Sequence, residues 1–113
     1  MVVKKLDLLT NQKNALQALK KQLIVKYPVE DFIIFGSVAR GEDEEGSDLD
    51  VLVLTSEPIS HRKKHIIYGI VTDINLVYDT NISILILDKP GWEHGIYSVL
   101  SIKDNVKRDG VSF

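Results

Sequence analysis

Two aspartates two residues apart, Asp48 and Asp50, open an apolar run in Ser47-Asp48-Leu49-Asp50-Val51-Leu52-Val53-Leu54. Side chains alternate across an extended strand, so positions two apart share a face. Asp48 and Asp50 then point the same way, while Leu49 and Val51 enter the core. Two carboxylates ~5 Å apart repel by about 3 kcal/mol at an effective dielectric of ~20. Water, a shared proton or a cation relieves this. Hard oxygen ligands suit magnesium, which takes one or two carboxylates together with substrate phosphates. Taken alone, the pair is more simply two solvated aspartates closing an acidic turn, because such short patterns recur by chance.

A second feature lies upstream. Phe32 to Phe35 form an apolar run that ends in Gly36-Ser37, followed by Val38-Ala39-Arg40-Gly41. This reads as a strand turning into a short helix. Free N–H groups at a helix start attract phosphate. Gly36 lets the backbone come close, and the Ser37 hydroxyl can donate one more hydrogen bond. An ordinary serine N-cap after a turn glycine explains the same residues. Arg40 can clamp a phosphate, or it can pair with Glu42 or Asp43. Together, a phosphate cradle, a linking turn and paired carboxylates on the next strand are the parts that metal-assisted phosphoryl transfer requires.

Gly36-Ser37-Val38-Ala39-Arg40-Gly41, then Ser47-Asp48-Leu49-Asp50-Val51-Leu52-Val53, resembles the signature of the DNA polymerase β-like nucleotidyltransferases. The resemblance is to their small stand-alone minimal nucleotidyltransferase members. It implies a nucleoside triphosphate held by Gly36 and Ser37, with Arg40 orienting that turn or touching a phosphate. It implies Mg2+ held by Asp48 and Asp50, in a site for one or two ions. It implies transfer of a nucleotidyl group, AMP by preference, to a hydroxyl on a partner protein or an RNA end. It also implies a helical HEPN-type partner in a toxin–antitoxin pair, or a homo-oligomer. The pattern departs from the family at one place. Active members carry a third carboxylate on the strand after the long helix, and the matching position here is Ser83. Asp79, Asp88, Asp73 and Glu93 are the displaced candidates. Without a substitute, the alternative is a weakened nucleotide-binding or toxin-masking module.

The scaffold follows from periodicity. Residues 11–27 carry Leu16, Leu19, Leu23 and Tyr27 at helical spacing, with Thr10 as the expected cap and Pro28 as the stop. Strands are expected at 31–35, 49–54 and 81–87. Ser56 or Ser60 caps a long helix to about Tyr78, with Ile66, Ile67, Ile70, Val71, Ile74 and Val77 buried. Its first turn, His61-Arg62-Lys63-Lys64, opposes the helix dipole unless an anion lies nearby. His61 and His65 have metal-ligand spacing but no evident third ligand. Glu42, Asp43, Glu44 and Glu45 are expected as solvated spacers. Asp88-Lys89-Pro90-Gly91 reads as a turn, Trp92 as a core or rim residue, 96–108 as a last helix stopped by Gly110, and 111–113 as an edge strand. The expected fold is α/β (α+β): a small mixed sheet of three to four strands with helices on one face, in one domain over residues 1–113.

Composition sets outer limits. Net charge is −2, so nothing global argues for duplex nucleic acid. There is no cysteine, which excludes disulfides and thiolate metal sites. That fits the cytoplasm, and no apolar run reaches membrane-spanning length.

Overall fold

The computed structural model describes residues 8–36, 48–95 and 101–113. The expectations for Ser37, Arg40, the acidic turn 42–45, Val99 and Leu100 lie outside them. Helix α1 (Thr10–Lys26) leads into strand β1 (Val29–Phe35), then β2 (Leu49–Thr55). Helix α2 (His61–Tyr78) crosses to β3 (Ile82–Asp88). Short helices α3 (Lys89–His94) and α4 (Ser101–Asp109) precede a two-residue strand, β4 (Val111–Ser112). The sheet order is β3-β2-β1-β4. Strand β1 is antiparallel to β2 and β4, while β2 is parallel to β3. A parallel neighbour needs a crossover, and α2 supplies it.

The two long helices lie on one face. There Ala15, Leu16, Leu19 and Leu23 of α1, with Ile67, Val71 and Ile74 of α2, meet Phe32, Ile34, Leu49, Val51, Val53, Ile82 and Ile86. A second, smaller cluster forms on the other face from Leu52, Leu54 and Leu87 with Trp92 and Val106. Helices on one face therefore holds for α1 and α2 only. Leu52 and Leu54 point away from those helices by strand alternation, and α3 and α4 cover them. Trp92 is a core residue, at 7% exposure.

Three local expectations are corrected, and one open choice is resolved. Thr10 is the first residue of α1 and not its cap; Leu9 precedes the helix, and its N–H donates to Gln12 Oε1 at 2.9 Å. Ile66 and Val77 are exposed, so the buried stripe of α2 is narrower than its apolar sequence. Residues 89–91 are helical, because the Asp88 carboxylate accepts from Gly91 N at 2.8 Å and caps α3. Ser60, not Ser56, caps α2, accepting from Lys63 N. Lys89 bridges to Glu30 and Asp31, at 3.1 and 3.7 Å. The Glu30 hydrogen bond and charge, then Asp31, raise the Lys89 pKa, so the ammonium keeps its charge at neutral pH and loses it only on strong alkalinisation.

Asn75 fastens α2 to β3. Its side-chain amide donates to Ile82 O at 3.0 Å, and its Oδ1 accepts from Ile82 N at 2.8 Å and Thr80 Oγ1 at 2.9 Å. Backbone groups of an edge strand's first residue are thus satisfied by one side chain. Asn75→Ala strands those groups and is expected to cost about 1–3 kcal/mol in urea denaturation. Asn75→Asp, which keeps the acceptor alone, is expected to cost less.

Candidate functional site

The site is built where β1 ends, β2 begins and β3 begins. Leu49 N donates to Asn81 O at 2.8 Å, which levels the starts of β2 and β3. Asp48 sits just ahead of β2 and is exposed. Asp50 lies inside β2 and is half-buried, paired with Phe35 of β1 on one side and Ser83 of β3 on the other. Leu49 and Val51 belong to the large cluster on the helical face. By alternation Asp50 projects from the opposite face, as Leu52 and Leu54 do. Among the described residues, α3 and α4 cover the Leu52–Leu54 part of that face, with Trp92 and Val106.

Gly36 follows Phe35 and has φ +79, a conformation that favours glycine. A Cβ built on Gly36 would collide with the Asp50 carboxylate. The missing side chain is therefore the space that the carboxylate occupies. Gly36 is needed twice, once for its backbone and once for its emptiness.

Ser83 is exposed and level with Asp50 in a parallel ladder, so the two side chains share a face. The displaced acids do not take its place on the strand. Asp88 is five residues on, about 17 Å along β3, and is engaged in capping α3. Asp79 closes α2 in the left-handed region, φ 54, before β3 starts. Asp73 lies on the exposed side of α2, and Glu93 lies in α3. His61 and His65 are exposed on α2, and no group of three metal-ligating side chains occurs among the described residues.

The structure thus brings together Gly36, Asp50 and Ser83, with Asp48 just ahead of β2. Asp50 is a hard oxygen donor beside the glycine turn, and Asp48, two residues earlier, is a second. That set fits a magnesium-class cation whose remaining ligands are phosphate oxygens and water. Asn75 was missed from the sequence, where it reads as a polar residue inside a helix. A polar residue three positions before the helix end, with Thr80 just beyond, was the available signal.

Three comparisons with known proteins bear on this arrangement. A family model described as nucleotidyltransferase domain matches residues 16–107. A Methanocaldococcus jannaschii protein, named as a candidate protein adenylyltransferase, is 48% identical over 52 residues. That stretch is 46% of this chain and 53% of the relative, so the chain spans about half the length of the relative it matches. Among solved structures, a chain of a toxin–antitoxin crystal structure with AMP-PNP superimposes with a TM-score of 0.60 at 16% identity. The superposition covers 92% of this chain and 72% of the other. A chain from the complex of a tri-AMPylated Shewanella oneidensis HEPN toxin with an MNT antitoxin gives a TM-score of 0.54 at 17% identity. It covers 91% of this chain and 71% of the other. At these identities the likeness concerns the fold.

Gly36→Ala forces a side chain into left-handed backbone and into the Asp50 carboxylate. Loss of about 1–3 kcal/mol is expected in chemical denaturation. The amide resonances of Asp50 and Ser83 should shift in the folded variant.

Proposed function

The chain belongs to the nucleotidyltransferase domain family, and from that premise we propose that it transfers AMP from ATP to a hydroxyl on a partner protein. The observation that supports this reading is the Asp50 carboxylate lying against Gly36, with Asp48 two residues earlier, just ahead of the same strand. Asp48 and Asp50 would hold Mg2+, and Gly36 with Ser37 would hold the triphosphate, with Arg40 on a phosphate or steadying the turn. Bound Mg2+ supplies charge neutralisation on the triphosphate and polarises the reacting phosphoryl group.

In the reaction, the acceptor oxygen bonds to the α-phosphorus. The bond from that phosphorus to the bridging oxygen of the β-phosphate breaks, and pyrophosphate leaves. The acceptor proton passes to solvent or to a site carboxylate. Asp50 is fixed by strand pairing on both sides, so its carboxylate needs little reorganisation as charge moves. The fold neighbours support the choice of nucleotide and acceptor: one structure contains AMP-PNP, and another contains a HEPN toxin carrying AMP. We accordingly take a HEPN-type helical toxin as the acceptor and this chain as its antitoxin, acting in the cytoplasm where ATP is plentiful. An RNA end is the competing acceptor.

Ser83 favours a second reading. With a hydroxyl level with Asp50 and no further carboxylate beside it among the described residues, the acceptor lacks a positioned base. The chain would then bind nucleotide and mask a toxin, and transfer would be slow.

The test uses ATP labelled on the α-phosphate, with Mg2+ and any co-purifying protein or RNA. Label is expected on the partner protein, and Asp48→Asn/Asp50→Asn should lower transfer by about 10³-fold or more. Label on RNA would replace the acceptor. No label, with a Mg2+-dependent rise in melting temperature on adding ATP, would leave the second reading. Ser83→Asp is expected to raise transfer about tenfold or more, a part of the ~10²–10⁴ that a positioned base supplies. An unchanged rate would show that the missing carboxylate does not limit the reaction.

A further inference from the structure

Helix α2 presents two stripes. One is buried: Ile67, Val71 and Ile74. The other runs Arg62, Ile66, Gly69, Asp73, Leu76, at intervals of four, three, four and three, and every member is exposed. At 100° per residue these five fall within an arc of about 80°, nearly opposite the buried stripe. They form the outer crest of the helical face. This is the spacing of a helix–helix seam. Leu76 is 77% exposed and Ile66 50%, with Val77 beside them at 76%.

Gly69 stands at the middle of the crest. Its backbone is not in the left-handed region, and a Cβ built on it meets nothing within 4 Å. Neither conformation nor internal packing calls for glycine, although glycine is a poor helix former. An exposed glycine between apolar neighbours permits another backbone to come close.

Charge is divided along the same helix. His61, Arg62, Lys63, Lys64 and His65 occupy its start, where no acid is present, while the last turn has no basic residue. Asp73 lies in the second half and Asp79 caps the end. Among the described residues, Arg62 and Asp73 form no ion pair. The basic first turn is unfavourable for the helix in isolation. A partner that supplies acid at this end and base at the other would relieve it, and an antiparallel copy of α2 does both.

We propose that the crest of α2 is an isologous interface between two copies of this chain, antiparallel, with the two-fold axis at Gly69. About that axis His65 faces Asp73 of the second copy, and Arg62 lies within one helical turn of the same carboxylate. Ile66 and Leu76 lie along the seam, and each contact occurs twice, as a two-fold requires. The crest is on the helical side of the sheet, so the face bearing Asp50 and Ser83 stays open in the dimer. This arrangement stands independently of the proposed transfer reaction.

Sedimentation velocity over a concentration series tests it. The wild-type chain should show a monomer–dimer equilibrium. Arg62→Glu sets like charges against Asp73, and Asp73→Arg sets them against Arg62, so each variant alone should dimerise about tenfold or more weakly. Mixed in equal amounts, the two restore opposite charges at both contacts and should dimerise within about threefold of wild type. Gly69→Leu should weaken the dimer as well, without lowering the monomer's thermal midpoint, since leucine is the better helix former. A wild-type chain that is monomeric at its highest soluble concentration would overturn the proposal. So would a dimer that none of these substitutions affects, or a mixture no better than its components.

Discussion

The register of β2 is the constraint on which the rest depends. From Val51 to Thr55 this strand is buried on both faces, between β1 and β3. Its alternate residues belong to different clusters, so a slip of one position would exchange the two faces. Such a slip would also drive the Asp50 carboxylate into Leu, Ile and Phe side chains, where an unpaired charge is very costly. The apolar length of β2 therefore holds the acid at its end in place. Scaffold and site are one element, and the precision of the second derives from the burial of the first.

Both neighbours share in this. Strand β1 delivers Gly36 to the side of Asp50, and its register is steadied from beyond by β4 and by the Phe32–Phe113 ring contact at 5.4 Å. Strand β3 delivers Ser83 to the other side, with Asn75 fixing where that strand begins. The groups around the carboxylate come from three segments, yet each is set by a ladder that neighbours it.

Much of this was legible beforehand, for a physical reason. Alternation on a strand is a property of neighbours in the sequence, so Leu49, Asp50 and Val51 could be sorted to faces without knowing the fold. The same holds for Ile82, Ile84 and Ile86, and for the end of α1 at Pro28. What was not legible depends on contacts distant in sequence. Ile66 and Val77 fit a helical stripe as well as Ile67 and Ile74 do, but which apolar residues are covered is decided by where α1 lies. The α3 and α4 cover on the second face could not be seen, because short helices leave little periodicity. The cap of α1 went to Leu9 and Gln12, since a glutamine side chain can reach back where threonine was the commoner choice. The level pairing of Ser83 with Asp50 was anticipated only through the family resemblance, and the ladder supplies it directly.

Trp92 is the single tryptophan of the chain, and it lies in the smaller cluster, 5.8 Å from the Lys103 ammonium. Its emission consequently reports on one side of the sheet alone. Far-ultraviolet dichroism is dominated by α1 and α2, which lie on the other side. The molecule thus carries its own pair of spectroscopically separate observers. Coincident melting curves from the two would mean that the sheet couples its faces into one cooperative unit. A tryptophan transition that came first would mean that the covering beside the carboxylates loosens while the helical core stays intact.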